Sequence, residues 1–381
     1  MKRTRGVQVA VVGVGTIGAM TLWQLAEQGI AAVGYDRYAP GHDRGAGAGE
    51  SRIFRIAYKE GAQYVPLLRR ARELWQELES RGGGPLLHPV GCATVGPAEH
   101  ESVVAVQRAA ATHHLPLEVL TGDDARQRLP EHPLRDGEVL LFDPLGGLLR
   151  PEASVTAAVA AAEAAGTEIR RYQQVIEVRD NDGQSATVIT ADGEETYDRV
   201  VVSPGPWAGL LTLPQPLPVT VQRITATWFA RRSPDLFDLA RTPVTIRVGS
   251  PAFSCFPAVD GVGTKVIVHA GFPSITDPDS LPRTASIEEA QRATAAVREV
   301  LPGLHPDPIR IGTYCDAWTP DGHALLGPSH PGSAVIVAAG FSGHGFKLSP
   351  AFGRALADLA QGRDIPAEMA FLDPARSLVT I

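Results

Sequence analysis

Cysteine, lysine and long apolar runs are all scarce in this 381-residue sequence, and each shortage excludes something. Three cysteines, Cys92, Cys255 and Cys315, stand far apart with no CxxC pair. That argues against a disulfide scaffold or a structural zinc site, and no metal site is expected. No apolar run approaches the roughly 20 residues needed to span a bilayer. Positive charge is not in surplus either: 35 basic residues against 42 acidic ones leave a formal charge of −7. That balance argues against a general nucleic-acid or anionic-membrane binder, while leaving room for a local basic pocket. Of the 35 basic residues only four are lysines, Lys2, Lys59, Lys265 and Lys347. Where arginine is used almost everywhere, a lysine in apolar surroundings needs a reason, because ammonium and guanidinium differ in shape, hydration and pKa flexibility.

What is present is an ordinary globular composition, 44% hydrophobic and 20% charged, enough to bury a large core. At roughly 150 residues per domain the length suggests two or three lobes. The opening Met1-Lys-Arg-Thr-Arg followed by an apolar stretch superficially resembles a signal peptide, but glycines interrupt it at a spacing with another explanation. The carboxyl end, Leu378 to Ile381, matches no address signal. Cytoplasmic location is the expectation.

Val7 to Val12 is a near-continuous apolar run, the pattern of a strand buried on both faces of a parallel sheet. Gly13-Val-Gly-Thr-Ile-Gly18 follows at once, then a helical stretch from Ala19 to Gln28 stopped by Gly29. A second apolar run, Ala31 to Tyr35, ends in Asp36 and Arg37. Strand, glycine turn, helix, strand and acid make a dinucleotide-binding βαβ unit. Gly13 suits the tight turn, Gly15 the approach of backbone to a pyrophosphate, and Gly18 close helix–strand packing, and Thr16 and Ile17 between them are counted with the cofactor-binding residues. Asp36 is placed to accept from ribose hydroxyls. The motif leaves NAD and FAD equally open.

Further along, Gly41 to Gly49 reads as a loop, Tyr64 to Leu78 as a helix, and Ser102 to Thr112, Glu152 to Ala165 and Ile287 to Val300 as further helices. Short strands are expected across Leu86–Val95, Asp136–Leu149, Glu168–Val178, Thr187–Thr190 and Val200–Val202, and repeatedly between Val219 and Val268. Pro214, Pro216 and Pro218 mark a boundary. Near the end a buried-type strand, Val335 to Val337, leads into Gly340-Phe-Ser-Gly-His-Gly-Phe-Lys347 and a last helix, roughly Pro350 to Ala360. Nucleotide-type features thus stand at the start, middle and end, separated by strand-rich segments. The expected fold is α/β (α+β overall), with a Rossmann-like domain of residues 1–85, 148–218 and 318–381. Residues 86–147 and 219–317 form a discontinuous, mainly antiparallel substrate domain.

Two features favour a flavin. The Gly340–Lys347 segment offers backbone N–H groups before a helix, where negative charge on a reduced flavin can be stabilised. Arg52 and Arg55, three apart, can face one cavity and clamp a carboxylate. With these in view the chain closely resembles, over essentially its whole length, the family of monomeric sarcosine oxidase, N-methyltryptophan oxidase and bacterial fructosyl amino acid oxidases. The most specific matches are Ser51 to Leu67 (SRIFRIAYKEGAQYVPL), Lys265 with His269 four residues on, the isolated Cys315, and Ala338 to Lys347 (AAGFSGHGFK).

The resemblance implies FAD attached through the sulfur of Cys315, with Lys265 activating O2. His269 sits beside the substrate amine, and Arg55 with Lys347 binds the substrate carboxylate. It places Arg52 on the opposite side of the flavin, helping to position Lys265 or oxygen, and gives Ser51 and His42 a place in the cofactor loop. Gly205 and Trp207 belong to a middle cofactor segment, and Gly340, Gly343, His344 and Gly345 to a terminal one. The match breaks at the pocket walls: two aromatic positions are Ser254 and Ala317, and a methionine is replaced by Thr245. Arg247 and Asp316 are close enough in sequence to add charge. The expectation is therefore a monomeric oxidase that uses O2 and a small-molecule amino acid derivative. Its secondary amine is bulkier than sarcosine, such as a fructosyl amino acid. The alternatives are a sarcosine or N-methyltryptophan oxidase proper, an NAD-dependent dehydrogenase, and a non-oxidase flavoprotein subunit.

Overall fold

The computed structural model describes residues 8–269 and 271–378. Met1 to Val7, with Lys2 and the first residue expected in the opening strand, and Val379 to Ile381 lie outside the described residues.

The opening apolar run is the strand Gln8–Val12, paired in parallel with Ala31–Tyr35 on one side and Arg199–Val202 on the other. Glu168–Arg170 and Val335–Ala339 extend this sheet in parallel, and Leu325–Pro328 closes one edge antiparallel. Alternate side chains of the first strand enter different cores. Val9 and Val11 join Leu22, Trp23, Ala158 and Phe352 from the helices Thr16–Glu27, Pro151–Ala164 and Ser349–Leu359. Ala10 and Val12 instead meet Val178, Val188 and Tyr197 from the antiparallel strands Val175–Asn181, Ser185–Thr190 and Gly193–Tyr197. With apolar layers on both faces, neither parity of the strand can be polar, hence the unbroken run.

A second, larger sheet is mainly antiparallel. Its order is Ser274–Ile275, Thr220–Arg231, Gly263–Val268, Phe253–Phe256, Val244–Arg247, Cys92–Pro97, Glu138–Asp143 and Glu118–Leu120, with Leu304–Trp318 paired along Thr220–Arg231. A small sheet of Arg52–Phe54, Gly147–Leu149 and Leu87–His88 adjoins it in sequence. The whole is a mixed α/β fold with a Rossmann-like parallel sheet.

Two departures from the sequence reading matter for the site. The first helix begins at Thr16, inside the glycine turn, three residues earlier than expected. The fifteen-residue strand Leu304–Trp318 was not anticipated, because Pro306 and Pro308 near its start disguise it. It pairs along Thr220–Arg231, with register shifts around Phe229 opposite those prolines, a bulged arrangement that accommodates residues lacking an N–H. This strand brings Cys315, Asp316 and Ala317 to the cavity.

Candidate active site

A cavity of about 650 Å³ is walled by the carboxyl ends of the parallel strands and by one face of the larger sheet. It falls within the roughly 300–1,000 Å³ of ligand and cofactor sites. Along the larger sheet the lining residues alternate: Ile224 and Ala226, Ile246, Ser254 and Phe256, Lys265 and Ile267, then His269. A period of two is what one pleated face must give.

At the glycine turn the backbone is closely packed behind and open in front. A Cβ on Gly18 would stand 1.9 Å from the Gly13 carbonyl oxygen, and one on Gly13 2.4 Å from that of Ser203. One on Gly15, which lines the cavity, would meet nothing within 4 Å. The turn is thus a cradle open on the side a phosphate would take. Asp36 accepts from the N–H of Val14 at 2.8 Å and of Tyr38 at 2.7 Å, leaving lone pairs on both carboxylate oxygens. His42 Nε2 lies 3.6 Å from Asp36 Oδ1, and its ring is 4.9 Å from that of Tyr38. Arg37 and Trp207, both in the wall, donate to the two oxygens of Asp279 at 2.6 and 3.0 Å, so one exposed acid ties two expected residues together. Gly205, Gly340, Gly343, His344, Gly345 and Cys315 line the same cavity. An open glycine cradle, a carboxylate with spare acceptors and a buried thiol in one wall fit an adenine dinucleotide carrying a flavin.

Further in, Lys265 sits on its strand between Trp228 and Phe256. Its Nζ donates to the Gly49 carbonyl at 2.8 Å and the Ser51 carbonyl at 2.7 Å, and lies 4.0 Å from the Phe256 ring centroid. Arg52 donates to the same Ser51 oxygen at 2.8 Å, and to the Ala46 and Ala48 carbonyls at 2.7 and 2.5 Å. The two cations therefore share one loop. Glu50 lies in it at φ 69, its carboxylate accepting from Trp228 Nε1 at 3.0 Å and from Arg310, which stacks on Trp228. Glu152 accepts from the N–H groups of Gly49 and Glu50 at 2.7 and 3.1 Å. Burial, with Arg52 adding to it, pushes the Lys265 ammonium well below the usual lysine range, against the pull of Glu152 and Glu50.

A second cluster of cations lies around Tyr58. Arg55 Cζ is 5.0 Å and Lys347 Nζ 5.3 Å from its ring centroid. Arg55 donates to Glu60 at 2.5 Å, while Lys347 donates to the His344 carbonyl at 3.0 Å and the Tyr58 hydroxyl at 3.3 Å. Burial raises the Glu60 carboxyl, but Arg55, with His344, Lys59 and Lys347, outweighs it and brings the group down to about 2. Burial, reinforced by Arg55, lowers Lys347 to about 7. His269 is lowered to about 4 by burial, then by Lys59 and Arg55, and its Nε2 lies 3.0 Å from Ser254 Oγ. Burial lifts Asp316 to about 6 and the Cys315 thiol to about 12, so that thiol is protonated at neutral pH.

Several expectations need correction. Thr245 does not line the cavity: it pairs with Cys255 on the opposite parity, and Ile246 takes the inward position beside Ser254. Arg247 shares that outer face, buried against Glu138 at 2.5 Å, and adds no charge to the cavity. Ser51 contributes its carbonyl to Lys265 and Arg52, and its side chain is not in the wall. Gly18 lies behind the turn in the helix packing. Residues given no role by the sequence are Lys59, Glu60 and Asp279 in the wall, and Tyr58, Glu50 and Glu152 behind it. Among the described residues no group of His, Cys, Asp and Glu side chains could hold a metal ion, and no helix is long and apolar enough to cross a membrane.

A parallel sheet that opens its glycine turn onto a cavity also lined by Arg52, Arg55, Lys265 and Lys347 is the construction of a dinucleotide-dependent oxidoreductase. The chain belongs to the FAD dependent oxidoreductase family, whose pattern it matches over residues 8–359. The cofactor that the glycine turn alone left open is thereby FAD. The sequence is 33% identical over 361 residues to monomeric sarcosine oxidase of Bacillus sp. (strain B-0618), covering 92% of this chain and 91% of that one. It is 29% identical over 370 residues to N-methyl-L-tryptophan oxidase of Yersinia pestis (strain Pestoides F), covering 96% and 98%. Among solved structures it is similar to NikD, an unusual amino acid oxidase essential for nikkomycin biosynthesis. That likeness has a TM-score of 0.86 at 23% identity and covers 99% of this chain and all of that one.

Proposed function

We propose that the protein is an FAD-dependent oxidase of N-substituted amino acids. The observation that carries this reading is the meeting, in one cavity, of a carboxylate clamp (Arg55 and Lys347), a neutral imidazole (His269) and a carbonyl-held ammonium (Lys265). The names of the relatives support it. FAD, when bound, accepts two electrons from the carbon of a C–N bond and returns them to O2 as hydrogen peroxide. The Gly13–Gly18 turn with Thr16 and Ile17, Asp36 with Arg37, Gly205 with Trp207, and the Gly340–Lys347 segment would hold it.

The chain's own groups do the rest. Arg55 and Lys347 dock the substrate carboxylate and so fix the amine beside His269. With a pKa near 4, His269 is uncharged at neutral pH and accepts a hydrogen bond from the amine without repelling a cationic form. Lys265 supplies fixed positive charge where oxygen gains negative charge, and Arg52 holds the shared loop. The imine that leaves is hydrolysed by water.

The small side chains of Ser254 and Ala317 in the wall support a substrate larger than sarcosine, of the size of a fructosyl amino acid. Peroxide release across sarcosine, proline, N-methyltryptophan and fructosyl glycine tests this. A bulky substrate should win, and a preference for sarcosine over all larger amines contradicts it.

We also propose that FAD is bonded to Cys315. Forming that S–C bond would release the thiol proton, which burial holds on the sulfur up to about 12, and one proton of the flavin methyl group, with the two electrons passing to the flavin ring and on to O2. Mass spectrometry of the denatured protein is expected to find FAD on the Cys315 peptide, and Cys315→Ala should release all flavin on acid precipitation. Lys347, near 7 before an anion arrives, gives a pH test. It is charged below that value and loses its charge as pH rises through it. Acetate, as a carboxylate probe, is expected to bind about tenfold more weakly at pH 9 than at pH 6, the scale of one charge-assisted hydrogen bond. Lys347→Met should flatten that dependence.

A further inference from the structure

Lysine is rare in this chain, yet Lys59, Lys265 and Lys347, three of its four, line one cavity. Two have tasks above; Lys59 has none. It lies in the turn between Tyr58 and Glu60, half-buried. No hydrogen bond or ion pair engages its ammonium among the described residues. Its neighbour Glu60 is bonded through one oxygen to Arg55, and the other oxygen has no partner. Glu60, and after it Glu101 at the exposed start of its helix, attract Lys59 without coming within ion-pair distance of it. Burial and Arg55 both work against its charge, and its charge is in turn felt at His269, which puts it on the amine side of the chamber.

The charges around Tyr58 do not balance with a simple substrate. Arg55, Lys59 and Lys347 stand against Glu60, while Asp316, also in the wall, is drawn first to Arg52 and only then to Lys347. One α-carboxylate, added to Glu60, offsets two of the three cations and leaves one ammonium without a counter-charge. Desolvating an unpaired charge is costly, so a cation kept in such a wall calls for an anion from the ligand. A neutral sugar or an indole would leave Lys59 unpaired, and the hydroxyl of Ser254 is already engaged with His269. The chamber has room beyond the α-carboxylate, since Ser254 and Ala317 are small.

Building on the oxidase reading above, we propose that the substrate carries a second anionic group which Lys59 binds. The substrate class is then a doubly anionic secondary amino acid, an N-alkylated dicarboxylic amino acid or an N-carboxyalkyl amino acid. Lys59 is in this account a specificity-determining residue.

The test compares substrates of equal size that differ in one charge: N-methyl-L-glutamate against N-methyl-L-glutamine, and N-methyl-L-aspartate against N-methyl-L-asparagine. The holoenzyme is used, with peroxide release as readout. The acid of at least one pair should exceed its amide in kcat/KM by about tenfold or more, the scale of one charge-assisted contact. Lys59→Gln should bring that ratio near one, and Lys59→Arg should keep most of it. Acid and amide oxidised alike, a ratio unmoved by Lys59→Gln, or activity confined to sarcosine or other singly charged amines overturns the proposal and leaves the oxidase reading intact. No peroxide from any secondary amino acid would overturn both.

Discussion

Replacing Lys265 with Met is expected to slow reoxidation of the reduced enzyme by O2 by about 10²–10³-fold, the usual cost of removing one preorganised charge stabiliser. Reduction by substrate should change far less. The reason lies in how the ammonium is held. It is buried, two of its three N–H bonds go to the Gly49 and Ser51 carbonyls, and Phe256 covers it. Nothing in this arrangement must reorganise when negative charge forms beside it. The loop that supplies the carbonyls is itself fixed by Glu152 on the N–H groups of Gly49 and Glu50. Trp228 and Arg310 fix it further through the carboxylate of Glu50. Stopped-flow mixing of anaerobically reduced protein with oxygenated buffer measures the effect. An unchanged oxidation rate in the Met variant would remove Lys265 from the oxygen site.

Arg55→Met is expected to lower kcat/KM for every carboxylate-bearing substrate by about 10²–10³-fold, since truncating one member of a buried, hydrogen-bonded charge pair costs several kcal/mol. Part of that loss comes from Glu60, whose carboxyl is held near 2 chiefly by Arg55 against the effect of burial. The double variant Arg55→Met, Glu60→Gln separates the two contributions. It removes the orphaned charge, so thermal stability should recover toward the parent while kcat/KM stays low. Recovery of both would make the Arg55–Glu60 pair structural. Arg55→Lys keeps the charge without the planar fork and should fall between the extremes.

The parts of this site that could be read from the chain are those encoded locally or by rarity. The Gly13–Gly18 turn and Asp36 are set by spacing within one βαβ unit, and their packing follows from it. Lys265, Lys347 and Cys315 drew notice as scarce residue types in motifs that resemble a known family. What escaped depends on register and on side-chain direction. Thr245 and Ile246 are adjacent, and only the pairing of Ile246 with Ser254 decides which one faces the cavity. Arg247 looked available by proximity, but the same parity sends it to Glu138. Ser51 acts through a carbonyl, which no side-chain identity announces. The strand that carries Cys315 was hidden by its own prolines. Lys59 stood inside the most informative motif, yet its isolation shows only once Glu60 is seen bonded to Arg55.

The most direct test of the central claim is an anaerobic titration of the purified yellow protein with secondary amino acids, followed in the visible absorbance of its flavin. The account predicts complete bleaching by a substrate bearing both a carboxylate and an N-substituted amine, and return of the colour with one equivalent of peroxide when air is admitted. A spectrum that no secondary amino acid bleaches, whatever its size or charge, would contradict it.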